Sequence, residues 1–191
     1  MRHRFLIVVS LLAAVTTLAG CIEAALVGGA TGVVVATDRR TTGSYIDDEG
    51  IEIKTSSAIS KDESLKDVHV NVTSINGVVL LTGEAPTEAQ RTKILEHVRN
   101  VPRVRRTVNE IRISPATAYS SRASDAWITT KVKSKMVGDE KLDAMNIKVV
   151  TESGVVYLMG LAKKAEAERA AELVRQVGGV QKVVKLFEYT D

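Results

Sequence analysis

The sequence predicts an α+β protein built from two tandem αββαβ units, each a three-stranded mixed sheet packed against two helices. Three observations carry that expectation. First, the chain repeats itself: "INGVVLLTG" at 75–83 is answered by "ESGVVYLMG" at 152–160, an offset of 77. Such self-similarity marks duplicated structural units. Second, the spacing of apolar residues switches between the helical period of 3.6 and the strand period of 2 in the same order in both copies. Third, Asn76-Gly77 sits between the alternating run "HVNVTS" and the returning "VVLLTG", the strongest short-range hairpin signal.

The repeat runs well beyond those nine residues. Ile51 pairs with Ile128, Ile59 with Met136, Leu65 with Leu142 and Val72 with Val149 at the same offset. Downstream the offset is 76, pairing Val98 with Val174, Val104 with Val180 and Val108 with Val184. One residue is therefore lost after Gly83/Gly160, in a loop where length changes are tolerated. The units fall at 47–113 and 124–191, joined by the linker "SPATAYSSRA" at 114–123.

Each unit opens with an amphipathic helix. Ile128, Val132 and Met136 lie at i, i+4 and i+8 in the second copy, and Ile51, Thr55 and Ile59 take those places in the first. Ser124 or Asp125 can cap the second copy's helix. A hairpin follows, "HVNVTS" returning as "VVLLTG" across Asn-Gly, and "IKVVTE" returning as "VVYLMG" across Ser153-Gly154. A second helix spans 87–100 and about 164–177, with Ile94, Leu95 and Val98 facing inward in the first copy. A last strand closes each unit. Units this small have thin cores, so contact between the two copies is expected.

The chain's beginning reads as an address. Arg2 and Arg4 supply a positive start, "LIVVSLLAAVTTLA" an apolar stretch too short for a comfortable span, and "LAGC" a bacterial lipobox ending at Cys21. The expectation is a signal peptide over 1–20 and a lipid anchor on Cys21. Cys21 is the only cysteine, so no disulfide forms within the chain. Ile22 rather than Asp follows it, which by the bacterial sorting rule favours the outer membrane. Residues 21–46 then read as lipidated N-terminus and linker, with the Gly-rich "ALVGGATGVVVA" at 25–36 as a stalk. Of 26 Lys and Arg, two lie in the leader; the remaining 24 face 23 Asp and Glu, a net of +1. A nearly neutral chain is a poor general nucleic-acid binder.

Catalytic constellations are not in evidence. Beyond the leader the histidines are His69 and His97, with no cysteine partner, and no HExxH, GxSxG or P-loop pattern occurs. The expectation is no enzyme, no cofactor and no metal. The arginines at 99, 103, 105 and 106 could bind phosphate groups, but they read better as charges guarding an exposed strand edge.

Trp127 is the only tryptophan, and its repeat partner is Gly50, so the first unit folds without an aromatic side chain there. Trp127 lies one residue before the core stripe, about 100° round the helix. Thr130, Lys131 and Ser134 share its face, and Lys135 extends it. Tryptophan favours the level of lipid headgroups, and a lysine beside an anionic surface contributes about 1 kcal/mol. The residues alone leave two readings open: a membrane contact, or packing across the junction of the two units. Lys133 lies on another azimuth and reads as solvated.

Ile-x3-Val-x3-Met in the helix, V-T-x-x-G-V-V-x-L-x-G in the hairpin and V-x-x-V entering the last strand resemble the BON domain of bacterial osmotic-stress and envelope proteins. The resemblance covers nearly all of 47–190. With the lipobox ahead, and with "ATDRRTTGSYIDD" at 36–48 and "DAWITTKVKS" at 125–134, the chain is similar to the dual-BON outer-membrane lipoproteins of that family. The resemblance implies a periplasmic body tethered to the outer membrane, and a monomer is the expected state. It implies binding of an anionic phospholipid membrane by the second unit, support of envelope integrity and concentration at division sites. The candidate lipid-contact set is Trp127, Ile128, Thr130, Lys131, Ser134 and Lys135. An alternative is an adaptor that docks envelope proteins on the same Trp127 face.

Overall fold

The computed structural model describes residues 38–116 and 119–191. The expected signal segment over 1–20, the expected anchor residue Cys21 and the Gly-rich stretch at 25–36 lie outside the described residues.

The first unit begins with α1 (Thr42–Lys61), whose start is capped by the Thr41 hydroxyl accepting from Ser44 N at 3.0 Å. It buries Ile51, Thr55 and Ile59, the stripe expected from the sequence. A short 3-10 turn (Glu63–Leu65) leads into β1 (His69–Ile75) and β2 (Val78–Ala85). Asn76 and Gly77 both hold positive φ, 50° and 74°, as a type I′ turn demands. Next come α2 (Glu88–Arg99) and β3 (Arg106–Ile113). The second unit repeats the plan: α3 (Tyr119–Val137), a 3-10 turn (Ala144–Asn146), β4 (Lys148–Glu152), β5 (Val155–Ala162), α4 (Lys164–Arg175) and β6 (Lys182–Tyr189). Ser153 and Gly154 turn with the same φ values as Asn76 and Gly77.

Both sheets are mixed. β1 pairs antiparallel and β3 parallel with the central β2, and β4 and β6 flank β5 in the same way. Val78 lies opposite Arg106, and Val155 opposite Lys182, so the registers differ only by the deleted residue.

Two stretches expected to be linker are helical. The chain enters α1 at Thr42, inside "TDRRTTGSYIDDEG", and α3 at Tyr119, inside "SPATAYSSRA". The reason lies in one buried acid per helix. Asp48 Oδ1 accepts from Gly77 N (2.8 Å) and Ser74 Oγ (2.7 Å), and its Oδ2 from Asn76 N (2.7 Å) and Arg40 (2.7 Å). Its repeat partner Asp125 accepts from Gly154 N (2.9 Å) and Ser153 N (2.8 Å). Neither acid caps a helix, and the expectation that Ser124 or Asp125 starts the second unit's helix is corrected, because the helix already begins at Tyr119. Each sits inside its helix and pins the hairpin turn against it, and the preceding turns of helix are held by that clamp.

Central strands alternate between two cores. Val79 and Leu81 face α1 and α2, while Leu80 points the other way; Val156 and Leu158 face α3 and α4, while Tyr157 and Met159 point away. Ile75, Leu80, Tyr157 and Met159 meet in a third core, joined by Val78, Val108, Val150, Val184 and Leu186. The two sheets therefore pack face to face, and helices cover the outer sides, which resolves the thin core of each unit.

The junction is close to two-fold in its contacts. Asn76 Nδ2 donates to Glu188 Oε2 at 2.8 Å, while Arg112 donates to Ser153 Oγ. Ser153 is the repeat partner of Asn76, and Glu188 that of Arg112, so the two contacts exchange roles, as in an isologous dimer interface. Ahead of α1, Arg39 reaches the second unit, with a fork to Glu166 at 2.5 and 2.7 Å and its N–H on Asn146 Oδ1 at 3.0 Å.

Candidate functional surface on the second unit

α3 carries its core on Ile128, Val132 and Met136, all buried. Asp125 fixes its inner face to the hairpin turn, and Thr129 Oγ1 donates to Thr151 Oγ1 at 2.7 Å on β4. With the helix held at these points, its azimuth is set, and Trp127 is left 63% exposed. The junction between the units is sheet on sheet, so Trp127 does not pack across it.

Neighbouring residues build a surface around the ring. Lys131 Nζ lies 5.8 Å from its centroid, within cation–π range. The same ammonium donates to Gly178 O at 2.7 Å, in the turn after α4. Lys135 Nζ donates to Gln176 Oε1 at 2.8 Å. Both lysines bridge from α3 to the end of α4 with neutral acceptors, so their charges stay uncompensated by those contacts. Thr130 and Ser134 are exposed along the same face, and Thr130 Oγ1 is turned back onto Ala126 O at 3.0 Å. Val137, 70% exposed, prolongs the line from Trp127 through Thr130 and Ser134. The sequence reading missed it, although its spacing of i+10 from Trp127 was visible.

Ile128 is a correction to the candidate set. It is 5% exposed and packs in the core of the second unit, so it holds the helix rather than meeting a ligand. Its side chain also fills the space beside Gly179, which turns with φ of 100°. The turn at Gly178-Gly179 thus lies against Ile128 while Lys131 ties it from outside.

The arginines of the first unit are spread over several tasks. Arg103 pairs with Asp47, and Arg105 with Glu188 at 3.2 Å across the junction. His97 Nε2 lies 2.9 Å from Asp62 Oδ2, beside Lys93. The Ser64 hydroxyl, Lys93 and His97 hold the Asp62 carboxyl far below the usual range. His69, Glu84 and Glu152 bring possible metal-ligand atoms within 4.8 Å of one another at the junction. Glu84 already has Arg112 on it at 2.6 Å, and Glu152 accepts from Asn71 at 3.1 Å. Burial pushes the Glu152 carboxyl up. Among the described residues, no helix is long and apolar enough to cross a membrane.

Comparison with known proteins agrees with this architecture. The family model of the BON domain matches residues 47–115 and 124–191. Outer membrane lipoprotein DolP of Haemophilus influenzae is 40% identical over 182 residues, 95% of this chain and 94% of its own. The 21 kDa hemolysin of Actinobacillus pleuropneumoniae is 38% identical across 80% of this chain and 79% of its own. Osmotically-inducible protein Y of Escherichia coli is 27% identical across 80% of this chain and 77% of its own.

Proposed function

The chain belongs to the BON-domain family, and from that membership we propose that it is an outer-membrane lipoprotein, anchored through Cys21 and facing the periplasm, whose second domain docks on anionic phospholipid through the Trp127 face of α3. The observation that carries the proposal is the exposed Trp127 with Lys131 against its ring and Lys135 a turn further on. An indole half in water and half in the headgroup layer satisfies both its apolar body and its N–H. Two lysines nearby add attraction for anionic lipid, about 1 kcal/mol each. The lipid anchor on Cys21 and a weak, composition-sensitive surface contact act together, so residence rises on anionic patches. Support of envelope integrity and concentration at division sites follow as roles of a protein so placed. The name of the Haemophilus influenzae relative supports the anchored location.

The test is flotation of the protein from Ile22 onward with vesicles containing phosphatidylglycerol. Wild type is expected to float and Trp127→Glu to stay at the bottom with an unchanged circular dichroism spectrum. A Trp127→Glu protein that floats like wild type overturns the lipid reading. Exchange of Lys131 and Lys135 for Glu should weaken flotation, most strongly at low salt. Wild type that ignores anionic vesicles altogether would favour the adaptor reading, in which the same face docks an envelope protein.

A further inference from the structure

The rim of the sheet-to-sheet junction opens into a cavity of about 250 Å3, far from the Trp127 helix in sequence and built by both domains. Its apolar wall is Ile75 and Val78 from the first domain and Leu186 from the second, with Gly160 and Phe187 completing the lining; the Phe187 side chain itself packs on the helix side of the sheet. Arg105, Arg106 and Glu188 stand at its mouth. Glu188 is already countered, by Arg105 at 3.2 Å and by Asn76 Nδ2 at 2.8 Å. Arg106 is exposed, and among the described residues no carboxylate pairs with it. The mouth therefore keeps one uncompensated guanidinium beside a recess that is apolar along one wall.

The repeat shows that this is a property of one end of the junction. By the repeat offsets, the opposite end carries Glu152 where the cavity has Ile75, Glu110 where it has Leu186, and Lys182 where it has Arg106. Two carboxylates there replace two apolar walls, and Tyr157 and Asn71 cross to bond them. Only the Arg106 end combines an apolar lining with an unpaired cation.

We propose that this cavity binds a single-chain anionic amphiphile, with the acid group on Arg106 and the adjoining segment of the chain against Ile75, Val78 and Leu186. The volume is just below that of sites for drug-sized ligands, so it takes the head-proximal part of the chain and leaves the rest outside. A guanidinium matches both carboxylate and phosphate by paired N–H donors. The shared chemistry is one anionic head on one alkyl chain, and the head is settled by comparing the two.

The experiment is titration of the full chain carrying Cys21→Ser, so that no acyl group is attached, with decanoate and with decyl phosphate below their micellar concentrations. Methyl resonances of Ile75, Val78 and Leu186 are followed together with the heat of binding. Saturable shifts at these methyls with either anion support the site, and the tighter anion identifies the head. Decanol and decyltrimethylammonium should bind at least tenfold more weakly. Arg106→Ala should cost tenfold or more in affinity, in line with the loss of a charged hydrogen bond, and Arg106→Lys should recover part of it. Both variants alter an exposed side chain, and unchanged melting checks the fold. Equal binding of decanol, indifference to Arg106→Ala, or shifts that gather on 124–137 instead would overturn the proposal.

Discussion

Replacing Asp125 by Asn tests the clamp that fixes the Trp127 helix. The two side chains are nearly the same size, so packing is preserved and only hydrogen bonding changes. Asp125 uses one oxygen for Ser153 N at 2.8 Å and the other for Gly154 N at 2.9 Å. Asparagine offers one oxygen, and its amide nitrogen would face the second N–H donor to donor. One charge-assisted bond is lost, about 1.5–3 kcal/mol, and one buried N–H is stranded, about 1–3 kcal/mol. Allowing for relaxation of the turn, a loss of about 3 kcal/mol is expected. For a chain of this size each kcal/mol lowers Tm by about 2–4 °C, so the melt should fall by about 6–12 °C. Asp48 provides the internal comparison. It accepts from four donors instead of two, so Asp48→Asn should be the more damaging change. The assay is thermal denaturation by circular dichroism, with amide exchange at Ser153 and Gly154 as the local readout. An Asp125→Asn melt within about 2 °C of wild type, or an Asp48→Asn protein that outlasts it, would refute the clamp.

Gly160→Ala should be strongly destabilising, by about 2 kcal/mol or more, because φ is 145° and a Cβ would sit 2.2 Å from the backbone oxygen of Asn146. Gly83→Ala meets His69 O at 2.0 Å and should behave alike, while Gly178→Ala meets nothing within 4 Å and should melt near wild type. Glu152→Gln should raise or preserve Tm at pH 8. Burial lifts the folded carboxyl above its unfolded value, so its charged form opposes folding at high pH. The difference from wild type should close as pH falls through that raised value, which paired melts from pH 8 to pH 4 would read. The Arg39–Glu166 fork works in the opposite sense. Arg39 lowers the Glu166 carboxyl to about 2, so its contribution is present above the ordinary 4.5 and is lost as pH falls toward 2. NMR of the Arg39 side chain should show release over that window in wild type, and Glu166→Gln should show it already released at pH 7.

Features with a local period were legible in the sequence. The stripes Ile51-Thr55-Ile59 and Ile128-Val132-Met136 are buried as their spacing required, and the Asn-Gly and Ser-Gly pairs turn as their conformational freedom allowed. The helix starts were harder. "TTGSYIDDEG" and "YSSRASDA" have weak helical patterning, and what holds them is the pair of backbone N–H bonds that each acid accepts from a turn 28 or 29 residues away. One signal could have found it: Asp48 and Asp125 stand at the repeat offset of 77. The face-to-face sheets also left a trace. "VVLLTG" and "VVYLMG" are apolar without alternation, the pattern of a strand covered on both sides.

Order along the chain is enough to define the two units, their αββαβ order, their hairpins and the place of Trp127 beside the core stripe. These depend on which residues follow one another at fixed spacing, and the repeat states each of them twice. Folding in three dimensions was needed to leave Trp127 63% exposed rather than packed at the junction, to bury the second faces of the sheets on each other, and to tie Arg39 at the start of the chain to Glu166. It also decided that the two ends of the junction differ, one lined with carboxylates and the other with apolar side chains under Arg106. Such facts arise from pairs of residues far apart in the chain. Which of two equally apolar faces meets which partner is set by shape and hydrogen bonding across the junction, and periodicity along the chain does not record it.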